Sequence, residues 1–182
     1  MTLRIIAGKF KGRTLVTPKG KTTRPTQGML REAIFNICQN EIEGTRFLDL
    51  FAGSGAVGFE ALSRGAKEVT FIEQNIEARR SIKANIATLA VEPFTHLIPL
   101  NASRALQILK KKQAQFDLIY ADPPYDLSFD LGDLSFLLAP TATLFLEERF
   151  SSKTTPPEIE GLCLKETRRF TSARVTIYKI YT

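Results

Sequence analysis

The sequence predicts an α/β protein: a doubly wound, mostly parallel sheet of the Rossmann-like kind. An antiparallel strand closes it at the C-terminal end, and a small basic hairpin plus helix precedes it. Three observations lead there. Short apolar segments alternate with amphipathic ones between residues 46 and 147, as in repeated strand–helix units. The apolar run Phe47-Leu-Asp49-Leu breaks into Gly53-Ser-Gly55-Ala-Val-Gly58, with glycines at G-x-G-x-x-G spacing between a strand and a helix. Segments 162–167 and 174–181 alternate polar and apolar residues, as a closing hairpin does.

The elements follow in order. Residues 3–16 interleave basic and apolar side chains around Gly8 and Gly12, which predicts two short strands with one packed and one cationic face. Arg24-Pro25-Thr26 opens a helix with Thr26 as its N-cap, and Leu30, Ala33, Ile34, Ile37 and Cys38 share one stripe. After the glycine motif, strands are expected over 68–73, 95–100, 116–121 and 141–147. Helices are expected over 76–89 and 103–113, the second ending in three lysines that suit a helix C-terminus. In 76–89, Ile76, Ile82, Ile86 and Leu89 fall mostly on one side. A short helix lies within 127–138, and 151–161, with Pro156-Pro157, reads as a loop. There is no internal repeat. The organisation expected is a basic appendage over 1–23 and a single globular unit over 24–182.

At 182 residues and 43% hydrophobic, the chain can build one core. It has neither an apolar run of membrane-spanning length nor a signal-peptide layout, so a soluble, cytoplasmic protein is expected. Cys38 and Cys163 lack metal or redox spacing, and His96 is the sole histidine. A histidine triad or a metal cluster is therefore not expected. Charge is distributed unevenly. Residues 1–31 carry eight Lys or Arg and no acid, and residues 167–182 carry four and no acid. Between them, 13 basic residues face 19 acidic ones. Such ends suit a polyanion, and nucleic acid is the expected partner.

The glycines let backbone approach a ligand closely, and the helix start offers free N–H groups. Glu73, twenty residues after Gly53, ends the next strand and can bind ribose hydroxyls. This pattern fits a nucleotide-type ligand without naming it, and NAD is compatible with it. A second motif, Asp122-Pro123-Pro124-Tyr125, follows the apolar strand 116–121. Its prolines stiffen the turn, and strand C-termini share one sheet edge, so it lies beside the glycine loop. A carboxylate and a carbonyl there can accept from an exocyclic amine, and the ring can stack on a base.

Asp122-Pro-Pro-Tyr125 resembles the (D/N)PP(Y/F) motif of S-adenosylmethionine-dependent amino-methyltransferases, and Asp49-Leu-Phe-Ala-Gly-Ser-Gly55 resembles their first motif. The strings Arg4-Ile-Ile-Ala-Gly-Lys-Phe-Lys-Gly-Arg13 and Arg24-Pro-Thr, then Arg31-Glu-Ala-Ile-Phe-Asn36, narrow the likeness to the bacterial 16S rRNA guanine-N2 methyltransferases of the RsmD type. The likeness covers nearly the whole chain. It implies the class I methyltransferase form of the fold and methylation of a guanine in 16S rRNA, guanine 966 in the family's usual numbering. The alternative is another amine, adenine N6 or a glutamine side chain.

The resemblance also implies roles. Asp49 and the loop from Phe51 through Gly53 to Gly55 would hold the methionine part of S-adenosylmethionine. Glu73 would take the ribose, and Asn101-Ala102 would lie beside the adenine. Asp122, Pro123 and Tyr125 would hold and orient the target guanine, with Asp122 also near the cofactor. Arg4, Lys9, Lys11, Arg13, Arg24 and Arg31 would face RNA, and Arg24, Thr26 and Arg31 would border the pocket. The implied partner is 16S rRNA or a small-subunit assembly intermediate. The protein is expected to be a monomer, without metal. Asn101 stands where the family often has Asp, and Gln27, Gly28 and Met29 depart from its pattern.

Overall fold

The structure is a computed structural model and describes residues 2–18, 25–124 and 131–181. Helix α1 spans Pro25–Ile37 and is followed by strand β1, Arg46–Leu50. Next come α2 (Ala56–Ser63), β2 (Glu68–Ile72), α3 (Ile76–Leu89) and β3 (Thr95–Ile98). Then follow α4 (Ala102–Lys111), β4 (Phe116–Ala121) and the short α5 (Gly132–Ser135). The chain closes with β5 (Leu138–Arg149), β6 (Leu162–Arg169) and β7 (Ala173–Ile180). The strands form one sheet in the order β3-β2-β1-β4-β5-β7-β6. Strands β1 to β5 are parallel, and β7 runs antiparallel to both β5 and β6. The sheet is thus mostly parallel with antiparallel strands at its C-terminal edge, as expected. Its order reverses between β1 and β4, so the crevice that binds ligands in open α/β sheets opens above those two strands.

Two layers of core flank the sheet. In one, Phe71, Asp49, Tyr120, Phe145 and Ile177 stand in register across five strands. All five are buried, and the four other than Asp49 cluster with Leu30, Ile34 and Phe35 of α1 and Phe59 of α2. In the other, Leu48, Leu50, Ile119, Ala121 and Leu144 meet Ala105, Leu106 and Leu109 of α4. Asn75 and Asn101 cap α3 and α4 by accepting from Ala78 and Arg104 N–H groups, and Lys110 and Lys111 stand in the last turn of α4, where cations suit the helix dipole.

Several expectations need correction. Helix α1 begins at Pro25, which suits proline in a first helical turn, so Thr26 lies inside the helix and not at its N-cap. Ile76 is 58% exposed at the start of α3. Residues 3–16 form a single antiparallel bridge, Arg4 to Thr14, and not two regular strands. The cause is competition for backbone groups. Ile6 and Ala7 donate their N–H groups to the Glu60 carboxylate at 2.7 and 3.0 Å. Phe10 N–H donates to the Ser63 hydroxyl at 2.9 Å, and Lys9 N–H to the Ser63 carbonyl at 2.7 Å. The arm is therefore bonded to α2 as well as to itself, where Ile5 N–H donates to the Arg13 carbonyl and Leu15 N–H to the Leu3 carbonyl. Gly8 allows the approach: a Cβ there would lie 1.8 Å from the Ser63 carbonyl oxygen.

Two cations counted towards the basic ends are internal. Arg31 is 5% exposed, donates to the Arg4 carbonyl at 2.7 Å and faces Glu60 at 3.7 Å. Arg174 is 4% exposed and binds Glu148 and the Thr154 and Thr155 carbonyls, strapping loop 150–161 to the sheet. Among the described residues no helix is long and apolar enough to cross a membrane.

Glu60 is completely buried and satisfies two arm amides, Arg64 and Arg31 together. Removing one partner of a buried ion pair costs about 3–5 kcal/mol. Glu60→Ala should lower stability by about that much, read by denaturant unfolding, and should speed tryptic cleavage within Lys9–Arg13. Unchanged unfolding and unchanged cleavage would show that Glu60 does not anchor the arm.

Candidate active site

Strand β1 delivers Asp49 and then turns sharply. Phe51 has φ +70°, Gly53 +56° and Gly55 +78°. A non-glycine residue at positive φ is strained, and such strain gathers at sites that hold ligands. The Asp49 carboxylate accepts from the Gly58 N–H at 2.9 Å and ties the loop's far end to its strand. Gly58 has no room for a side chain: a Cβ would lie 2.3 Å from the Phe71 ring and 2.8 Å from Val69. At Gly53 nothing would lie within 4 Å of a Cβ, so that side of the loop is open. No side chain caps the start of α2.

Glu73 closes the loop from β2. One oxygen accepts from Gly53 N–H and the other from Asn75 N–H, each at 2.7 Å. A carboxylate has about four lone-pair directions, so two remain for hydroxyl donors. The twenty-residue spacing read in the sequence is thus a direct contact. Asn101 sits at the end of the neighbouring strand, where its amide oxygen caps α4 at 2.9 Å from Arg104 N–H and keeps one lone pair. Ala102 is buried beneath it. Asp122 and Pro123, both half-buried, follow the last residue of β4. Asp49, Glu73, Asn101 and Asp122 therefore lie along one sheet edge, on both sides of the switch point.

Tyr125 and Arg24 fall outside the described residues. Arg4, Lys9, Lys11 and Arg13 are exposed on the arm, with Lys9 over the Phe10 ring at 5.5 Å. Arg31 is turned inward, away from any surface role. Three further residues went unread in the sequence. Asn85, 1% exposed, accepts from Val16 N–H at 2.7 Å and donates to the Val16 and Ser54 carbonyls, joining arm to glycine loop. Tyr120 and Glu147 form a buried hydrogen-bonded pair. Tyr120 looked like core within an apolar strand. The signal for Glu147 was its place at a strand's C-terminal end.

The edge is acidic. Burial pushes the Asp49 carboxyl up to about 7, against its Gly58 hydrogen bond and aided by Glu73. Burial, then Glu147, Asp122 and Asp49, raise the Tyr120 phenol well above its ordinary value. Burial also raises the Glu147 carboxyl. Among the described residues no three His, Cys, Asp or Glu side chains could hold a metal ion. In a recess at the opposite end of β1 and β4, lined by Glu41, Glu43, Thr45, Asp117 and Lys179 among others, Glu41 pairs with Lys179 and Asp117 with Arg46.

The raised Asp49 value has a signed consequence. The folded protein holds a proton that the unfolded chain releases near 3.8, so stability should fall as pH rises from there through about 7. Asp49→Asn keeps an oxygen for Gly58 and removes the titration. It should flatten that fall by on the order of 1–3 kcal/mol, checked by thermal melting against pH. Parallel pH profiles for both proteins would place the titration elsewhere.

The chain matches the family model described as conserved hypothetical protein 95 over residues 3–179. It is 35% identical over 180 residues to the ribosomal RNA small subunit methyltransferase D of Haemophilus influenzae, covering 95% of this chain and 92% of that one. The solved structure of yhhF from Escherichia coli superposes with a TM-score of 0.85 at 29% identity, over 99% of this chain and 98% of that one. The Thermus thermophilus 16S rRNA N2 G1207 methyltransferase RsmC, in complex with AdoMet and guanosine, shares the fold. Its TM-score is 0.71 at 18% identity, with all of this chain matching half of that one. Matched along nearly its whole length, and with the glycine loop and the Asp122-Pro123 turn on one edge, the chain belongs to the conserved hypothetical protein 95 family, that of the small-subunit rRNA methyltransferases D.

Proposed function

We propose that this protein transfers a methyl group from S-adenosylmethionine to the N2 amine of a guanine in small-subunit rRNA, guanine 966 in the family's usual numbering. The observation that carries the reading is the Asp122-Pro123 turn beside the glycine loop at the switch point between β1 and β4. The acidic edge favours this cofactor over NAD. Glu73 and Asp122 suit a ligand with a cationic centre, whereas a pyrophosphate there would meet like charge. The unit 24–182 supplies the chemistry, and the arm 1–23 supplies cationic surface for RNA.

When bound, S-adenosylmethionine supplies an electrophilic methyl carbon whose bond to sulfur breaks as the bond to nitrogen forms. The protein's task is positioning. The glycine loop from Gly53 to Gly55, open on the Gly53 side, would receive the amino-acid end, with Phe51 and Asp49 beside it. Two lone-pair directions of Glu73 take the ribose hydroxyls, and Asn101-Ala102 border the adenine. On the substrate side, the Asp122 carboxylate and the Pro123 carbonyl accept the two hydrogens of the guanine amine, which aims its lone pair at the methyl group. Asp122 then receives the proton that the methylated nitrogen releases. Tyr125 stacks on the base, which leaves its helical stack to enter.

The direct test is incubation with labelled S-adenosylmethionine and naked 16S rRNA or assembled small subunits, followed by nucleoside analysis. N2-methylguanine is expected. N6-methyladenine or methylglutamine would refute the substrate. Asp122→Ala should lose about 10²–10³-fold in rate while RNA and cofactor still bind. Asp122→Asn should retain part, since an amide oxygen accepts one hydrogen. Tyr125→Phe should be mild, and Tyr125→Ala should lose about 1–3 kcal/mol of stacking. Equal single-turnover rates for wild type and Asp122→Ala would sink the mechanism.

RNA affinity should fall steeply with salt. Replacing Lys9, Lys11, Arg13 and Arg24 with Ala should lower the log–log slope by about 0.7–0.9 per lost phosphate contact and leave cofactor affinity unchanged. An unchanged slope would make the arm a solvated face only.

A further inference from the structure

Tyr120 and Glu147 sit behind the reacting edge, 5% and 9% exposed, with the phenol donating to the carboxylate. Their placement follows from the sheet. Strands β4 and β5 are parallel neighbours, with Tyr120 beside Phe145 and Ala121 beside Leu146. Carrying that register on by one residue puts Glu147 level with Asp122. By the two-residue alternation of a strand, Tyr120, Asp122 and Glu147 share a face. Besides Glu147, the charged and titratable groups around the phenol come from four elements. They are Asp122 beyond β4, Asp49 on β1, and Arg31 on α1 with Glu60 and Arg64 of α2 next to it. Taking a carboxylate out of water is expensive, and well-packed apolar residues of similar volume would fill such a place at no loss of stability. Packing alone therefore gives no reason for Glu147.

We propose that Glu147 is a positioning residue for methyl transfer: through the Tyr120 phenol it fixes the floor beneath Asp122 and holds negative charge that keeps Asp122 a strong hydrogen-bond acceptor. The inference rests on Asp122 holding the substrate amine. A neighbouring negative charge raises a carboxylate's affinity for hydrogen and for protons. An acceptor of greater proton affinity orients the amine more firmly and takes its proton more readily. The proton still passes from the methylated nitrogen to Asp122, and Glu147 receives none. The sign of the pH effect follows. Neutralising Glu147 makes Asp122 a weaker base, so Asp122 stays ionised to lower pH while each turnover slows.

The test uses full-length protein, S-adenosylmethionine and whichever rRNA substrate supports transfer, in single-turnover assays across about pH 5–9. Glu147→Gln retains an oxygen for the phenol and nearly the same volume. It should transfer roughly tenfold more slowly on the plateau, with the acid limb moved to lower pH. Affinities for cofactor and RNA, and the melting temperature, should match wild type. Tyr120→Phe, which severs the link, should slow transfer in the same way, and it decides the matter if Glu147→Gln melts early. A wild-type rate and an unmoved acid limb in Glu147→Gln would overturn the proposal, even if Glu147→Ala were inactive, because packing would then be its whole role. If Asp122→Ala is inactive while Glu147→Gln behaves as wild type, only this inference falls. If Asp122→Ala is fully active, the proposed mechanism falls with it.

Discussion

The hydrogen bond from Gly58 to buried Asp49 is the contact on which the rest depends. It ties the N-terminal turn of α2 to β1 and so closes the glycine loop over the strand that feeds it. Close packing completes the seat, since only a glycine at position 58 lets the helix rest on Phe71 and Val69. Helix α2 then serves both functional surfaces. Its first turn bounds the loop, and its later residues, Glu60 and Ser63, hold the basic arm. Asn85 repeats that junction from α3 by bonding both Val16 and Ser54.

The arrangement segregates charge. The arm carries exposed cations, while the strand ends carry Asp49, Glu73, Asp122 and Glu147. A cationic arm suits a polyanion, and an acidic crevice suits a ligand with a positive centre. Keeping the two on adjoining but distinct surfaces avoids mutual neutralisation. Internal carboxylates do mechanical work at the same time, because Asp49, Glu60 and Glu73 each accept from backbone N–H groups that no helix or strand would satisfy.

Much of this was legible from the residues. Parallel strands are buried on both faces and read as apolar runs, so Phe116–Ala121 was delimited to the residue. Glu73 was legible as the end of the strand after the glycine loop; its bond to Gly53 N–H was not read there, although consecutive parallel strands put their C-terminal ends side by side. Less legible was anything decided by competition between partners. Residues 3–16 alternate as strands do, yet Glu60 and Ser63, more than fifty residues away, take the N–H groups of Ile6, Ala7, Lys9 and Phe10. Arg31 and Arg174 count as basic surface in a tally of charge, but burial beside Glu60 and Glu148 makes them internal ties.

The sequence by itself determined the strand–helix alternation, the open sheet, and the one edge where the glycine loop and the Asp122 turn must meet. These depend on local periodicity and on the handedness of parallel connections, which every residue in the segment helps to set. Only the tertiary structure decided which charged side chains face solvent, which carboxylates bind backbone, and that Tyr120 and Glu147 meet behind Asp122. Such pairings join residues far apart in the chain, and a side chain's charge alone does not say whether water or a buried partner will satisfy it.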